Sequence, residues 1–455
     1  MKRPVSVARE VALKILQEVE KEGSFANHLL EGYFERTGMV QKDRRLTYLL
    51  VYGILRHRNR LDWAISEHSD HPIEKLTPWI RNCLRMGAFQ LLDMPDLRPS
   101  VAVDESVRLA HRYGHRGTAS LVNALLRKLA SVGHGHIPDM AEDPEAHLVI
   151  AQSHPGWLVR RWLKRYGPEI ALKLCTANNL HPPLTIRWNP IKGGNPEQAL
   201  ADLENALERP VRSEILPEGF IIQGPRPIIH HALYKEGKID LQGLSSMLMT
   251  HLLDLKAGQR VLDACAGSGG KACHMAALMD NQGEIICIDH RATKLKALDQ
   301  RAKHLGVKIC RPVCAGSDQE TPWKAGSFDR VLVDAPCSSL GIIQRHPEIR
   351  WLRKEEDLSE LARIQGDILK QAAKALRKGG RLLYCTCSLE PEETENIMRG
   401  FLEEHPDFRT VDIRGDIPRP LKNMVNMDGA LRLFPFVFGV DGFFAFSVTK
   451  YKDSI

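Results

Sequence analysis

No stretch of the 455-residue sequence reaches the ~18 uninterrupted apolar residues a helix needs to cross a bilayer. The first segment, "MKRPVSVAREVALKILQEVE", is basic but turns into an amphipathic helix without the apolar core of a secretory signal. Both absences point to a cytoplasmic protein with no membrane role. There is no internal repeat and no low-complexity tract. Aromatic residues make up only 6% of the chain, against 43% apolar and 26% charged. This balance excludes the disordered, collagen-like and disulfide-scaffold classes. A chain of this length is expected to hold two or three domains, each with its own core.

Cysteine is present, with ten residues, but not in a pattern that binds zinc or cycles a disulfide. "CTC" at 385–387 lacks the two-residue gap of paired zinc ligands and of thioredoxin-type pairs. No metal site is therefore expected. Eight of the ten cysteines lie between Cys265 and Cys387, several inside apolar runs, where a thiol packs as a small hydrophobe. The net charge of +7 is compatible with a polyanionic partner without requiring one.

Three textures divide the chain. Residues 1–140 read as an all-helical bundle, with Val7, Val11, Ile15 and Val19 at helical spacing. Basic residues cluster there in "KDRR" (Arg44, Arg45) and "RHRNR" (Arg56, Arg58). They are either a solvated helix face or a phosphate-binding surface. Residues 141–238 mix helices ("HPGWLVRRWLKRYG", "PEQALADLENALE") with short strands ("LTIRWN", "GFIIQG"), a small α+β unit. From 239 to 455 strands alternate with helices, which predicts a parallel, doubly wound sheet. The last segment, "LRLFPFVFGVDGFFAFSVTKYK", reads as an antiparallel hairpin at that sheet's edge.

"VLDACAGSGGKACHMAALM" runs from a strand through a glycine-rich turn into a helix, exposing backbone N–H groups where a ligand can approach closely. Twenty residues after Gly269, Asp289 ends the next strand, suited to accept hydrogen bonds from ribose hydroxyls. The turn fails as a phosphate loop of the Walker type, since Cys265 and Ala272 stand where Gly and Ser/Thr are needed. It does not by itself separate a nicotinamide cofactor from S-adenosylmethionine. Farther on, "VLVDAPCSS" places Asp334 and Cys337 at the carboxyl end of a parallel strand. "RLLYCTCS" does the same for Cys385 and Cys387. Carboxyl ends of parallel strands are where open α/β sheets bind ligands. Cys385 reads as strand packing, and Cys387 as a thiol activated by the helix predicted to follow it.

"DAPCSSLGIIQRHPEIRW", "LLYCTCSLEPEETE", "DACAGSGGK" and "RLFPFVFGVDGFFAF" together resemble the Nop/Sun family of RNA cytosine methyltransferases. Within it, the likeness is to the bacterial type acting on 16S rRNA. It extends to a NusB-like RNA-binding domain through "DRRLTYLLVYGILRHRNRLDWAI", "LRMGAFQLLDM" and "VNALLRKLA". "SHPGWLVRRWLKRYG" and "PPLTIRWN" resemble the family's middle region. The resemblance implies a NusB-like helical domain over 1–140, an RNA-positioning domain over 141–238, and a Rossmann-like methyltransferase domain over 239–455.

It also implies roles. Cys387 would add to carbon 6 of a cytosine flipped out of its stack, making carbon 5 nucleophilic. Cys337 would assist release of the product, and Asp334 would hold the cytosine edge. S-adenosylmethionine would lie against Cys265, Ala266, Gly267, Ser268, Gly269, Gly270, Lys271, Asp289, Asp318 and Asp334. Arg44, Arg45, Arg56, Arg58, Arg345 and Arg350 would contact RNA. The partner expected is RNA, 16S rRNA or else tRNA, bound by a monomer. The chain departs from the family's usual Cys-Ala-Ala-Pro-Gly-Gly-Lys-Thr turn at Gly267, Ser268 and Ala272. It also carries Ser339 where Gly is usual. A non-catalytic RNA-binding assembly factor is the alternative from another class.

Overall fold

The computed structural model describes residues 5–195, 199, 201–204, 210–222, 228–316 and 324–451. The helix expected over 196–208 and the position Asp318 fall largely or wholly outside these residues. The chain divides into two compact units, residues 1–180 with 343–355 and residues 181–342 with 356–455.

The first unit is helical throughout. Its elements are α1 (Val7–Glu22), α2 (Ala26–Thr37), α3 (Gln41–Ser66), α4 (Pro78–Asp93), α5 (Pro99–Tyr113), α6 (Arg116–Val132), α7 (Pro144–Ile150) and α8 (Gly156–Asn179). Ala8, Val11, Ala12, Ile15, Leu16 and Val19 bury one stripe of α1, as a 3.6-residue repeat of apolar positions dictates. Gly23, at φ 67°, ends the helix and returns its N–H to the carbonyl of Val19 at 3.2 Å. Helix α8, expected in the middle unit, groups with this bundle, as does α7, which was not expected as a helix.

So does the segment 343–355, although it lies within the range 239–455 expected to form the methyltransferase domain. Its Glu348 is fully buried and accepts the N–H of Ala26 at 2.9 Å. It caps a helix whose own N-cap position, Phe25, offers no side-chain acceptor. Trp351 donates its indole N–H to the carbonyl of Leu55 at 2.7 Å and packs on the bundle core.

The second unit holds two sheets. The smaller is antiparallel, in the order β2 (Pro210–Arg212), β3 (Gly219–Ile222), β1 (Leu184–Trp188), β4 (Ile239–Leu241). Asp240 on β4 is buried. It accepts from the equally buried Arg187 at 3.2 Å and from Arg301 at 2.8 and 3.0 Å. Glu218, just before β3, lies 2.7 Å from His251 and 3.1 Å from His274. Charged groups so placed fix how the small sheet packs on the helices beside it, because an unpaired partner left behind would be costly.

The larger sheet has eight strands. Five are parallel, in the order β9 (Leu376–Thr386), β8 (Phe328–Asp334), β5 (Arg260–Asp263), β6 (Glu284–Asp289), β7 (Cys310–Cys314). Val261, Leu262, Val331, Leu332, Leu382 and Leu383 are fully buried. Sheets covered on both faces call for such continuous apolar runs. The doubly wound sheet expected from sequence is therefore present, and its strand order reverses between β5 and β8.

The terminal hairpin also forms, with β11 (Leu431–Leu433) antiparallel to β12 (Phe443–Lys450). It lies at the edge of the sheet, as expected. β12 pairs with β9 on its inner side, and on its outer side with β11 at its start and β10 (Phe408–Val411) at its end, so β10 and β11 share the edge. No helix among the described residues is long and apolar enough to cross a membrane.

Candidate active site

The carboxyl ends of β5, β6, β8 and β9 converge where the strand order reverses, the position at which open α/β sheets form a ligand crevice. β5 delivers Asp263, then the turn Cys265–Gly270, then the helix α9 (Gly270–Leu278). Gly269 is required at φ 83°, because a Cβ there would stand 2.6 Å from the side chain of Leu298. Gly267 also sits in the left-handed region, at φ 55°, but the space beside it is open. Its N–H donates to Asp289 at 3.2 Å, and the other Asp289 oxygen accepts from the N–H of Arg291 at 2.8 Å. Asp289 thus holds the turn open above the end of β6. This cradle, with a carboxylate at its rim, fits a nucleoside-containing cofactor.

Lys271 reaches from α9 to Asp334 at the end of β8, 2.6 Å away. Burial works against the ammonium's charge, but Asp334 outweighs it and holds the Lys271 pKa above its ordinary value. Cys385 donates toward the other Asp334 oxygen at 3.5 Å and is fully buried. Burial, then the charge of Asp334, pushes its thiol well up. A buried, protonated thiol is the strand-packing residue the sequence suggested.

Cys337 and Cys387 meet. Their sulfurs lie 3.1 Å apart although the residues are 50 apart in sequence. Ser339 contributes its hydroxyl 3.6 Å from Cys387 and 3.9 Å from Cys337. The contact between the thiols dominates both titrations. Hydrogen bonding to Cys387 lowers the Cys337 pKa against the effect of burial, while the same bond and burial raise that of Cys387. Of the two thiols, Cys337 is therefore the one that gives up its proton more readily, and Cys387 the one that holds it. The expected activation of Cys387 by a helix end is corrected, since the next α-helix, α11 (Glu395–Glu404), starts only at Glu395. The helix α10 (Asp357–Ala375) also bears on this site.

The Cys387 loop is pinned at its backbone. Gly341 donates its N–H to the carbonyl of Cys387 at 2.8 Å and accepts from the N–H of Gly442 at 2.8 Å. A Cβ on Gly341 would stand 2.1 Å from the carbonyl oxygen of Gly442. Gly341 was not singled out in the sequence. Its signal was available as the glycine following "CSSL".

The basic residues separate into two groups. Arg45 is exposed. Arg44 is half-buried and bonds the carbonyl of Met39 at 2.8 Å. Arg58 keeps 30% of its side chain exposed and lies over the ring of Trp351 at 5.0 Å. Arg345 is half-buried. Arg56 and Arg350, however, are buried, and their reading as RNA contacts is corrected. Arg350 donates to Ser153, Asn178 and Asn179 at 2.8–3.2 Å, and Arg56 to the carbonyl of Gln344 at 3.3 Å. These guanidiniums knit the helical unit together and present nothing to a phosphate. Desolvation lowers the Arg350 pKa to about 9.

Known proteins share this architecture. Residues 250–449 match the family model "16S rRNA methyltransferase RsmB/F", residues 6–131 that of the NusB family, and residues 154–229 a ferredoxin-like domain of RsmF/B-like methyltransferases. A Bacillus subtilis protein named "Probable ribosomal RNA small subunit methyltransferase B" is 35% identical, the match covering 97% of this chain and 98% of the relative. The "Ribosomal RNA small subunit methyltransferase B" of Pseudomonas putida is 31% identical over 82% of this chain and 84% of its own. Among solved structures, that of PH0851 matches with a TM-score of 0.81 and 28% identity, covering 99% of this chain and all of that one. A methyltransferase homologue from Pyrococcus horikoshii matches with a TM-score of 0.57 and 26% identity, covering 68% of this chain and 98% of its own. With its three matched domains in this order and relatives aligned over nearly its full length, the chain belongs to the RsmB/F family of 16S rRNA methyltransferases.

Proposed function

We propose that this protein methylates carbon 5 of a cytosine in 16S rRNA with S-adenosylmethionine, through a covalent adduct on Cys387. The observation that carries the reading is the 3.1 Å approach of two thiols from different strands beside the cofactor crevice. When bound, S-adenosylmethionine supplies an electrophilic methyl group. The Gly267–Lys271 turn and Asp289 are the residues that would hold it.

The chain's own groups account for the rest. A cytosine swung out of its stack meets Asp334, whose carboxylate accepts from the base edge and is held in place by its ion pair with Lys271. Cys387 attacks carbon 6 of the base. Its proton passes to Cys337, whose sulfur lies 3.1 Å away. Attack forms the S–C6 bond and pushes electron density onto carbon 5, the atom to be methylated. Once carbon 5 carries the methyl group, loss of its proton to a base reforms the C5–C6 double bond and expels the Cys387 thiolate, breaking the S–C6 bond. Cys337 stands where it can assist this elimination. Arg45, Arg44, Arg58 and Arg345 remain as candidate phosphate contacts.

Incubation with 5-fluorocytosine RNA and S-adenosylmethionine tests the reading, because fluorine blocks the last step and traps the adduct. Cys387→Ala should abolish the adduct, whereas Cys337→Ala should let a complex with unmodified RNA accumulate. The opposite pattern would exchange the two roles. Absence of any cofactor binding in a calorimetric titration would favour a non-catalytic assembly factor. Bisulfite mapping of total RNA from a deletion strain decides between 16S rRNA and tRNA.

A further inference from the structure

Behind the two thiols lies a carboxylate that no step above uses. Glu393 is fully buried, as are Ser338, Gln365, Tyr384 and Ser388 around it. One of its oxygens accepts the backbone N–H of Ser338 at 2.7 Å and the side-chain amide of Gln365 at 2.9 Å. The other accepts the hydroxyls of Ser338 and Ser388, each at 2.5 Å. All four partners donate, so every acceptor site of the carboxylate is engaged. Ser338 adjoins Cys337 in the chain, and Ser388 adjoins Cys387.

Gln365 is fixed in turn. Its second amide hydrogen goes to the carbonyl of Pro336 at 2.9 Å, and its oxygen lies 3.0 Å from the hydroxyl of Tyr384. That hydroxyl also lies 2.9 Å from the carbonyl of Glu393. The network joins the loop after β8, the end of β9 and α10.

We propose that Glu393 is the positioning residue that sets the Cys337–Cys387 distance, by gripping both thiol-bearing loops with one carboxylate. Glu393 touches neither thiol nor substrate. It acts through the two serines, and a carboxylate is suited to the place because four donors converge on it in a buried site. A glutamine there would keep one oxygen for the two N–H donors but turn its N–H group toward the two serine hydroxyls, which must reverse from donating to accepting, and the charge-assisted grip on both loops is lost. The inference rests on the covalent reading for its effect on catalysis, but not for its effect on geometry.

The experiment therefore has two arms. In the first, diamide oxidises the thiols. Two thiols lose two electrons and two protons, the N=N bond is reduced to a hydrazine, and a Cys337–Cys387 disulfide is identified by peptide mass mapping. Glu393→Gln should slow this closure at least about tenfold, and Glu393→Asp less so. In the second arm, the rate of adduct formation on 5-fluorocytosine RNA should fall on the order of 100-fold, the scale of a misplacement near 1 Å. RNA KM and cofactor affinity should be unchanged, a split that loss of folding would not give.

Ser338→Ala/Ser388→Ala should reproduce both effects and not add to Glu393→Gln. This variant also replaces Glu393→Gln if the latter does not fold. Wild-type rates of closure and trapping in the substituted proteins would overturn the proposal. Closure that depends on Glu393, in a wild-type protein that forms no RNA adduct, would uphold the positioning role and reject the covalent reading instead.

Discussion

The ammonium of Lys271 lies 2.6 Å from Asp334 Oδ2, joining the cofactor helix to the strand end beside the thiols. Lys271 keeps 10% of its side chain exposed and Asp334 29%. Removing the lysine leaves a half-buried carboxylate without its counter-charge. Lys271→Met should therefore destabilise the protein by about 2 kcal/mol, less than the ~3–5 kcal/mol of a fully buried pair. Lys271→Met/Asp334→Asn should recover most of that loss and still be inactive. Chemical denaturation of the three proteins checks the stabilities, and equal destabilisation of single and double variants would refute the coupling.

Gly341 has no room for a methyl group, since the carbonyl of Gly442 occupies the place a Cβ would take. Gly341→Ala must push the β11–β12 connection or the Cys387 loop aside. Methylation should drop by about two orders of magnitude, the scale of a shift near 1 Å at reacting groups. Cofactor binding should persist, because the cofactor turn lies on another strand. Parallel methylation and titration measurements decide, and unchanged turnover would count against the pinning role.

Ser339 is a departure that the structure makes intelligible. The residue sits at φ 63°, where an L side chain is strained, and its hydroxyl faces both thiols. Ser339→Gly should stabilise the fold by about 1 kcal/mol by relieving that strain. The same change removes a hydroxyl that lowers the Cys387 pKa. Alkylation of Cys387 by iodoacetamide should then shift to higher pH. A melt and an alkylation profile together test both halves.

Local motifs made half of this site legible in the sequence. The Gly267–Lys271 turn, Asp289, Asp334, Cys337 and Cys387 each end a strand with its own hydrophobic signature, so their convergence follows from the doubly wound order. Glu393 carried no such mark. It is 55 residues from Ser338 and 28 from Gln365, and in "EPEETE" it looks like any solvated acid. Arg350 misled for the opposite reason. A basic residue beside Arg345 and Trp351 suggests a phosphate surface, and only tertiary packing reveals that residues 343–355 fold into the helical unit. The source of thiol tuning was hidden as well, because the 3.1 Å contact with Cys337 depends on register between β8 and β9.

Asp263, at the end of β5, gives the site a pH signature. Its carboxyl is 1% exposed, and its pKa is pushed up to about 7, by burial first and then by the charge of Asp334, with Lys271 opposing. An unfolded aspartate titrates near about 4. Between those values the folded chain holds a proton that the unfolded chain has released. Wild-type stability therefore falls as pH rises through this window, by at most ~1.4 kcal/mol per unit, and levels off above it. Asn has the shape of the protonated acid and no such slope. The stability of Asp263→Asn relative to wild type should grow from about pH 4 to about pH 7 and stay constant beyond. Thermal melts of both proteins across that range measure it. A flat difference would mean that Asp263 is already ionised in the folded protein, with Lys271 rather than burial governing its charge.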